Sequence, residues 1–287
     1  MQLYSVEGNS QNIDAGSMFG NVPRALWQKW VTPDQANRIN LSCRALLVKD
    51  LAGKNILFET GIGACFDPKL RARFGAEGDS NQLIRSIEAI GLSENDIDAV
   101  VLSHLHFDHA GGLLSDWREN QEQALRFPRA TYVVGEKAWE RACNPHPRDR
   151  ASFIPGLQPL LDSSGRLELV AGETSATLGN GVCFWYSDGH TPGLMLAIIG
   201  GDSGVAFCSD LMPGKPWVHL PVTMGFDRYP EKLIDEKEQF LREMIKRDIR
   251  LFFTHDPDVS LAKPVQDEQG RYATIDEHDP LTGLKLD

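Results

Sequence analysis

Short apolar runs rich in β-branched and aromatic residues recur along the chain: RALLVK (44–49), NILFE (55–59), DAVVL (98–102), TYVV (131–134), VCFWY (182–186), LMLAII (194–199), GVAFC (204–208) and RLFF (250–253). Each is a strand's length, and their near-continuous apolarity predicts strands buried on both faces. Helical periods lie between them. In NQLIRSIEAI (81–90), Leu83, Ile84, Ile87 and Ile90 share one face, with Ser80 as the predicted N-cap and Gly91 as the stop. EKLIDEKEQFLREMIKR (231–247) is a second amphipathic helix, acidic where it starts and basic where it ends, as the helix dipole favours. Strands and helices mixed in this way predict a layered α/β (α+β) domain.

Four of these strands end alike. VVLS runs into His104, FWYSDG into His190, AFCS into Asp210 and LFFT into His255. Each passes a small hydroxyl residue and then delivers a side chain able to ligate a metal, at the kind of loop where a rigid scaffold presents chemistry. The first of them opens into SHLHFDHAGG (103–112), which crowds His104, His106, Asp108 and His109 into six positions. Imidazoles are polar and lose hydration when buried together without partners, so packing alone does not account for the cluster. A loop leaving the strand can send His104 and His106 to one point and Asp108 and His109 to another. Gly111 and Gly112 are then expected to let the backbone turn tightly away. Nitrogen and carboxylate donors without thiolate suit Zn²⁺, Mn²⁺ or Fe²⁺ at a site with open positions, rather than a closed structural zinc site.

Composition narrows the setting. Lys and Arg number 29 against 40 Asp and Glu, a formal charge of −11 that repels a phosphate backbone, so nucleic acid is not an expected partner. Five cysteines without a CxxC pair fit a reduced, cytoplasmic protein. The amino terminus reads as lacking a signal peptide, and LMLAIIGG (194–201) is far short of a membrane span, so no membrane association is expected. With no linker or repeat, residues 1–287 are read as one domain. Residues 1–40 are its N-terminal extension, and 261–287 a polar, loosely held C-terminal tail.

HLHFDH with the later His190, Asp210 and His255 resembles the metallo-β-lactamase superfamily, over roughly residues 40–260. The resemblance implies a four-layer αβ/βα sandwich. It implies two Zn²⁺ per chain, with His104, His106 and His190 on one ion, Asp108, His109 and His255 on the other, and Asp210 bridging. An Asp bridge together with His109 is closest in pattern to the lactonase and methyl-parathion-hydrolase-like branch. Two departures stand out: ETG (59–61) where the family often has Asp-Thr-Gly, and Pro213 where acyl-homoserine lactonases carry a tyrosine.

The activity this implies is hydrolysis of a carboxylic ester or lactone by water acidified between two ions, since metal coordination lowers the pKa of water to about 7. Asp108 doubles as the catalytic proton carrier. Phosphoester or phosphotriester cleavage at the same site is the alternative, and a non-catalytic zinc-binding protein is the alternative of another class. Glyoxalase II-type thioester cleavage is disfavoured because so little chain follows His255. The expected walls are the 211–230 loop and GSMFGNVPRALWQKW (16–30), with Phe19, Trp27, Trp217, His219 and Phe226 as candidate substrate contacts. For the 16–30 segment a packed helix, a lid and a homodimer contact are all open. Of the remaining histidines, His146 and His278 are expected on the surface.

Overall fold

The structure is a computed structural model and describes residues 1–286. Among them, two large mixed sheets lie face to face. The seven-stranded sheet runs, edge to edge, Thr282–Lys285, Gln2–Val6, Ala45–Leu51, Lys54–Phe58, Ala99–Leu102, Thr131–Gly135 and Leu167–Val170. The six-stranded sheet runs Tyr272–His278, Leu261–Gln266, Arg250–Phe252, Val205–Phe207, Leu194–Ile199 and Val182–Ser187.

Alternation along the strands explains why they read as apolar throughout. Leu46, Val48, Ile56, Phe58, Val101 and Val133 meet Phe184, Met195, Phe207 and Phe252 between the sheets. Their neighbours Leu47, Leu57, Val100 and Tyr132 face outward onto helices, against Leu83, Ile87, Leu157 and Leu161. On the other side Leu196, Ile198, Leu251 and Phe253 pack under Leu233, Phe240, Leu241 and Met244 of the helix Pro230–Lys246. Helix, sheet, sheet and helix give the layered domain that the pattern predicted and the four layers that the resemblance implied.

Three local expectations are corrected. The N-cap position of the helix Gln82–Ala89 is Asn81, not Ser80, and its first amide, that of Gln82, donates to Asn9 Oδ1 at 3.0 Å rather than to a side chain of the cap residue. Residues 2–6 are not part of an extension: Gln2–Val6 is an interior strand, paired to Ala45–Leu51 on one side and Thr282–Lys285 on the other. The polar tail is not loosely held, because Leu261–Gln266, Tyr272–His278 and Thr282–Lys285 all pair within the two sheets. Its polar reading has a cause: Tyr272–His278 is an edge strand, with all but Tyr272 and Thr274 exposed.

The rest of the N-terminal segment forms a small lobe. Gln11–Asp14 pairs antiparallel with Arg38–Leu41, and the short helices Ala15–Phe19 and Arg24–Trp27 lie between them. Its core joins Met18, Phe19, Trp27 and Leu41 to Trp217, Val222 and Met224 of the 211–230 loop. Among the described residues no helix is long and apolar enough to cross a membrane.

Candidate metal centre

His104, His106, His190 and Asp210 bring ligand atoms within 4.8 Å of one another, and so do Asp108, His109 and His255. The first stretch is delivered by Ala99–Leu102, after which a short helix, Phe107–Ala110, carries Asp108 and His109. His190 follows Val182–Ser187, Asp210 sits in a helical turn just beyond Val205–Phe207, and His255 follows Arg250–Phe252. Strand ends from both sheets therefore converge on one site.

Gly111 and Gly112 act differently from expectation. Gly111 has an ordinary φ of −65°, so no left-handed turn is needed there. What both require is room: a Cβ would lie 2.1 Å from the Ile62 carbonyl oxygen at Gly111 and 2.1 Å from that of Thr60 at Gly112. The ligand helix is pressed onto the 59–63 loop, whose Thr60 amide donates to the His109 carbonyl at 2.8 Å.

The rings are aimed by hydrogen bonds on their far nitrogens. His104 Nδ1 meets Ser103 Oγ at 2.9 Å, His109 Nδ1 meets Glu59 Oε2 at 2.7 Å, His190 Nδ1 meets Asp227 Oδ1 at 2.9 Å and His255 Nδ1 meets the Ser42 carbonyl at 2.7 Å. In each case Nε2 is left to face the cluster, the arrangement that fixes tautomer and aim in metal-ligating histidines. Glu59 also accepts from Ser209 Oγ at 2.8 Å and from Ser103 Oγ. One fully buried carboxylate thus ties the residues preceding His104 and Asp210 to His109. Glu59 and Ser209 hold left-handed backbones, φ 63° and 42°, a conformation that costs energy in residues with a Cβ and persists only where surroundings impose it.

Asp210 sits at the centre. Its Oδ2 lies 3.2 Å from His190 Nε2 and 3.3 Å from His109 Nε2, and its Oδ1 lies 3.3 Å from His255 Nε2. His109 and His255 face each other through Nε2 at 3.3 Å, and His190 Nε2 faces His106 Nδ1 at 3.4 Å. Among the described residues His104 Nε2 and Asp210 Oδ1 are buried without a hydrogen-bond partner. Converging lone pairs and orphaned buried acceptors are what a cation would satisfy, so the donor set fits metal binding.

Electrostatics agree. Burial holds His104 well below the usual imidazole range and His106 down to about 3, which keeps both neutral and able to ligate. Burial would also lower His109, but Glu59, Asp210 and Asp108 outweigh it and hold it well above the ordinary value. The same balance, with Asp210 foremost, raises His190 and His255. Burial opposes ionisation of Asp210, yet His109, His190 and His255 hold it well below the carboxylate range. The field at the cluster strongly favours positive charge.

A cleft of about 210 Å³ opens over these ligands, with Ile13, Met18, Phe107, Met224, Phe226 and Arg148 on its walls. Of the candidate substrate contacts, Phe226 lines this cleft and is 43% exposed. Trp217 and His219 line an adjoining cavity of about 410 Å³ that shares Leu41 and His255 with it. Phe19 and Trp27 line neither: they are buried in a stack with Trp217, ring centroids 4.8 Å (Phe19–Trp217) and 5.5 Å (Phe19–Trp27) apart. His219 is exposed and stacks on Trp30, while His146 and His278 lie on the surface. Sequence reasoning missed Asp227, which stands 37 residues from the His190 it orients. Glu59 was visible in the ETG stretch, but not as the anchor of His109.

The geometry agrees with the comparisons. A family model described as the metallo-beta-lactamase superfamily matches residues 39–255. Probable metallo-hydrolases of Mycobacterium tuberculosis and Mycobacterium bovis are each 28% identical over 251 residues, covering 77% of this chain and 73% of theirs. A solved probable metal-dependent hydrolase from Staphylococcus aureus is similar at TM-score 0.83 and 26% identity, covering 96% of each chain. The dizinc quorum-quenching lactonase AidC, solved with a product, shares the fold at TM-score 0.73 and 22% identity, covering 96% of this chain and 94% of that one. With the family model spanning most of the chain and the ligand cluster at the strand ends, the protein belongs to the metallo-β-lactamase superfamily and is a metal-dependent hydrolase.

Proposed function

We propose that the chain is a binuclear zinc hydrolase that cleaves carboxylic esters or lactones. The observation that carries this reading is Asp210, whose single carboxylate is within 3.3 Å of imidazoles from both ligand sets. His104, His106 and His190 would hold one ion, Asp108, His109 and His255 the other, and Asp210 both. A bound pair would supply Lewis acidity and a water acidified to about pKa 7.

The remaining roles fall to this chain's own residues. The Asp108 side chain is 19% exposed, more open than the histidines it joins, and its oxygens lie 3.7 Å from His109 Nε2 and from His255 Nε2. No side-chain hydrogen bond consumes it among the described residues. It can therefore take the proton released as the water oxygen bonds to the carbonyl carbon, then return that proton to the leaving alkoxide as the ester C–O bond breaks. Ile13, Met18, Phe107 and Met224 supply apolar walls that strengthen the interactions inside by excluding water. The lactonase relatives support the ester and lactone class over others.

The test is a panel on zinc-loaded protein: aryl acetates, γ-lactones, a phosphotriester and a phosphodiester. Turnover of esters or lactones is expected. Cleavage of the phosphorus substrates alone would replace this reading with phosphoester hydrolysis.

A further inference from the structure

The cleft over the ligands carries one lysine or arginine among its described lining residues, Arg148. Its Nη2 donates to the Gly225 carbonyl at 2.7 Å and to the Asp227 carbonyl at 3.3 Å. The guanidinium is thereby fixed to the loop whose Asp227 side chain aims His190. Nε and Nη1 have no acceptor among the described residues, and no carboxylate there lies within 4 Å. The adjacent Asp149, which also lines the cleft, has its charge met by Arg141, two of whose donors reach Oδ2 at 2.9 and 2.6 Å, while Oδ1 is buried without a partner among the described residues. Nearby, His146 Nδ1 accepts from the Arg148 backbone amide at 3.1 Å and meets Arg228 Nη1 at 3.2 Å.

Surface arginines are often merely solvated. This one differs in being held by two carbonyls and in bordering, as its one described lysine or arginine, the cleft that opens onto the ligand cluster. On a chain of formal charge −11, an anion approaches such a cleft only where local positive charge receives it. A planar guanidinium with free donors is suited to carboxylate.

We propose that Arg148 selects substrates bearing a carboxylate separate from the bond that is cleaved. The substrate class is then an ester or lactone whose acyl or alcohol part ends in a carboxylate, and this rests on the ester reading above. The acidic group sits against Nε and Nη1 while the scissile carbonyl lies over the cluster.

The test compares 3-acetoxybenzoate with 3-acetoxybenzamide, near-isosteres that differ in charge, on zinc-loaded parent, Arg148→Gln and Arg148→Lys. The kcat/KM ratio of acid to amide should fall about 10- to 100-fold in Arg148→Gln, mostly through KM, as expected for losing a hydrogen-bonded charge. Arg148→Lys should keep part of the preference. A ratio unchanged in Arg148→Gln overturns the assignment, including the case in which both substrates slow equally because the 225–227 loop has shifted. If the parent cleaves neither ester, the ester reading is what fails. Arg148 is then judged on binding alone. Isophthalate should bind the zinc-loaded parent more tightly than 3-carbamoylbenzoate by calorimetry, and Arg148→Gln should abolish that preference. Equal preference in both proteins would reject the role.

Discussion

At the floor of the cleft, His104, His109, His190 and His255 are each held through Nδ1 by Ser103, Glu59, Asp227 and Ser42 in turn. The wall beside it is built around the stacking of Phe19 on Trp27 and Trp217, with hydrogen bonds mostly to its backbone, among them Trp217 Nε1 to the Met18 carbonyl at 2.9 Å and Lys237 Nζ to the Val222 carbonyl at 2.7 Å. Buried hydrogen bonds fix angle as well as position, whereas stacked apolar rings mainly fill volume. Changes to the floor should therefore cost chemistry or metal while the layers stay folded. Changes inside the wall should cost stability first.

The largest effect among substitutions at the floor is expected at Asp108, proposed above as the proton carrier. Asp108→Asn keeps the shape and an oxygen donor but cannot take a proton, and turnover should fall about 10²–10⁴-fold. Near-parent turnover at full metal loading would make Asp108 a ligand only. Next come the anchors. Glu59→Gln and Asp227→Asn each remove a carboxylate that orients a histidine, and zinc affinity measured by chelator competition should weaken about 10- to 100-fold. Circular dichroism should stay unchanged. Unaltered affinity in both would show that the imidazoles are aimed by packing, and the contrast with the wall would dissolve.

The wall separates into structural and contact residues. Trp217 is 3% exposed and stacked, so Trp217→Ala should lower unfolding free energy by about 3–5 kcal/mol. Phe226 is 43% exposed on the cleft, so Phe226→Ala should leave stability within about 0.5 kcal/mol and raise KM for apolar substrates tenfold or less. The reverse pattern would mean that the adjoining cavity, not the cleft, receives the substrate's apolar arm.

Floor and wall also differ in how far they could be read from sequence. Metal ligation admits few side chains, and here each follows a buried strand after Ser103, Ser187, Ser209 or Thr254, so His104, Asp210 and His255 stand out against apolar surroundings. The partners that aim them admit many solutions, a carbonyl from Ser42 serving His255 as a carboxylate serves His190. Asp227 lies 37 residues from His190, with no period linking them. Aromatic residues are ambiguous for another reason. Phe19, Trp27 and Phe226 have the same chemistry, and only the fold decides which fills a core and which faces a cavity. Tyr272–His278 was hidden because an edge strand wet on both faces loses the alternation that marks a strand.

The central claim is that one carboxylate joins two ligand sets into a single binuclear centre, and metal stoichiometry tests it most directly. Zinc-loaded, desalted parent analysed by plasma mass spectrometry should carry about two equivalents per chain, as a two-metal site requires. Asp210→Ala should hold clearly less and lose turnover, with its sheets intact by circular dichroism. One tightly held equivalent in the parent, unchanged by Asp210→Ala, would contradict the account.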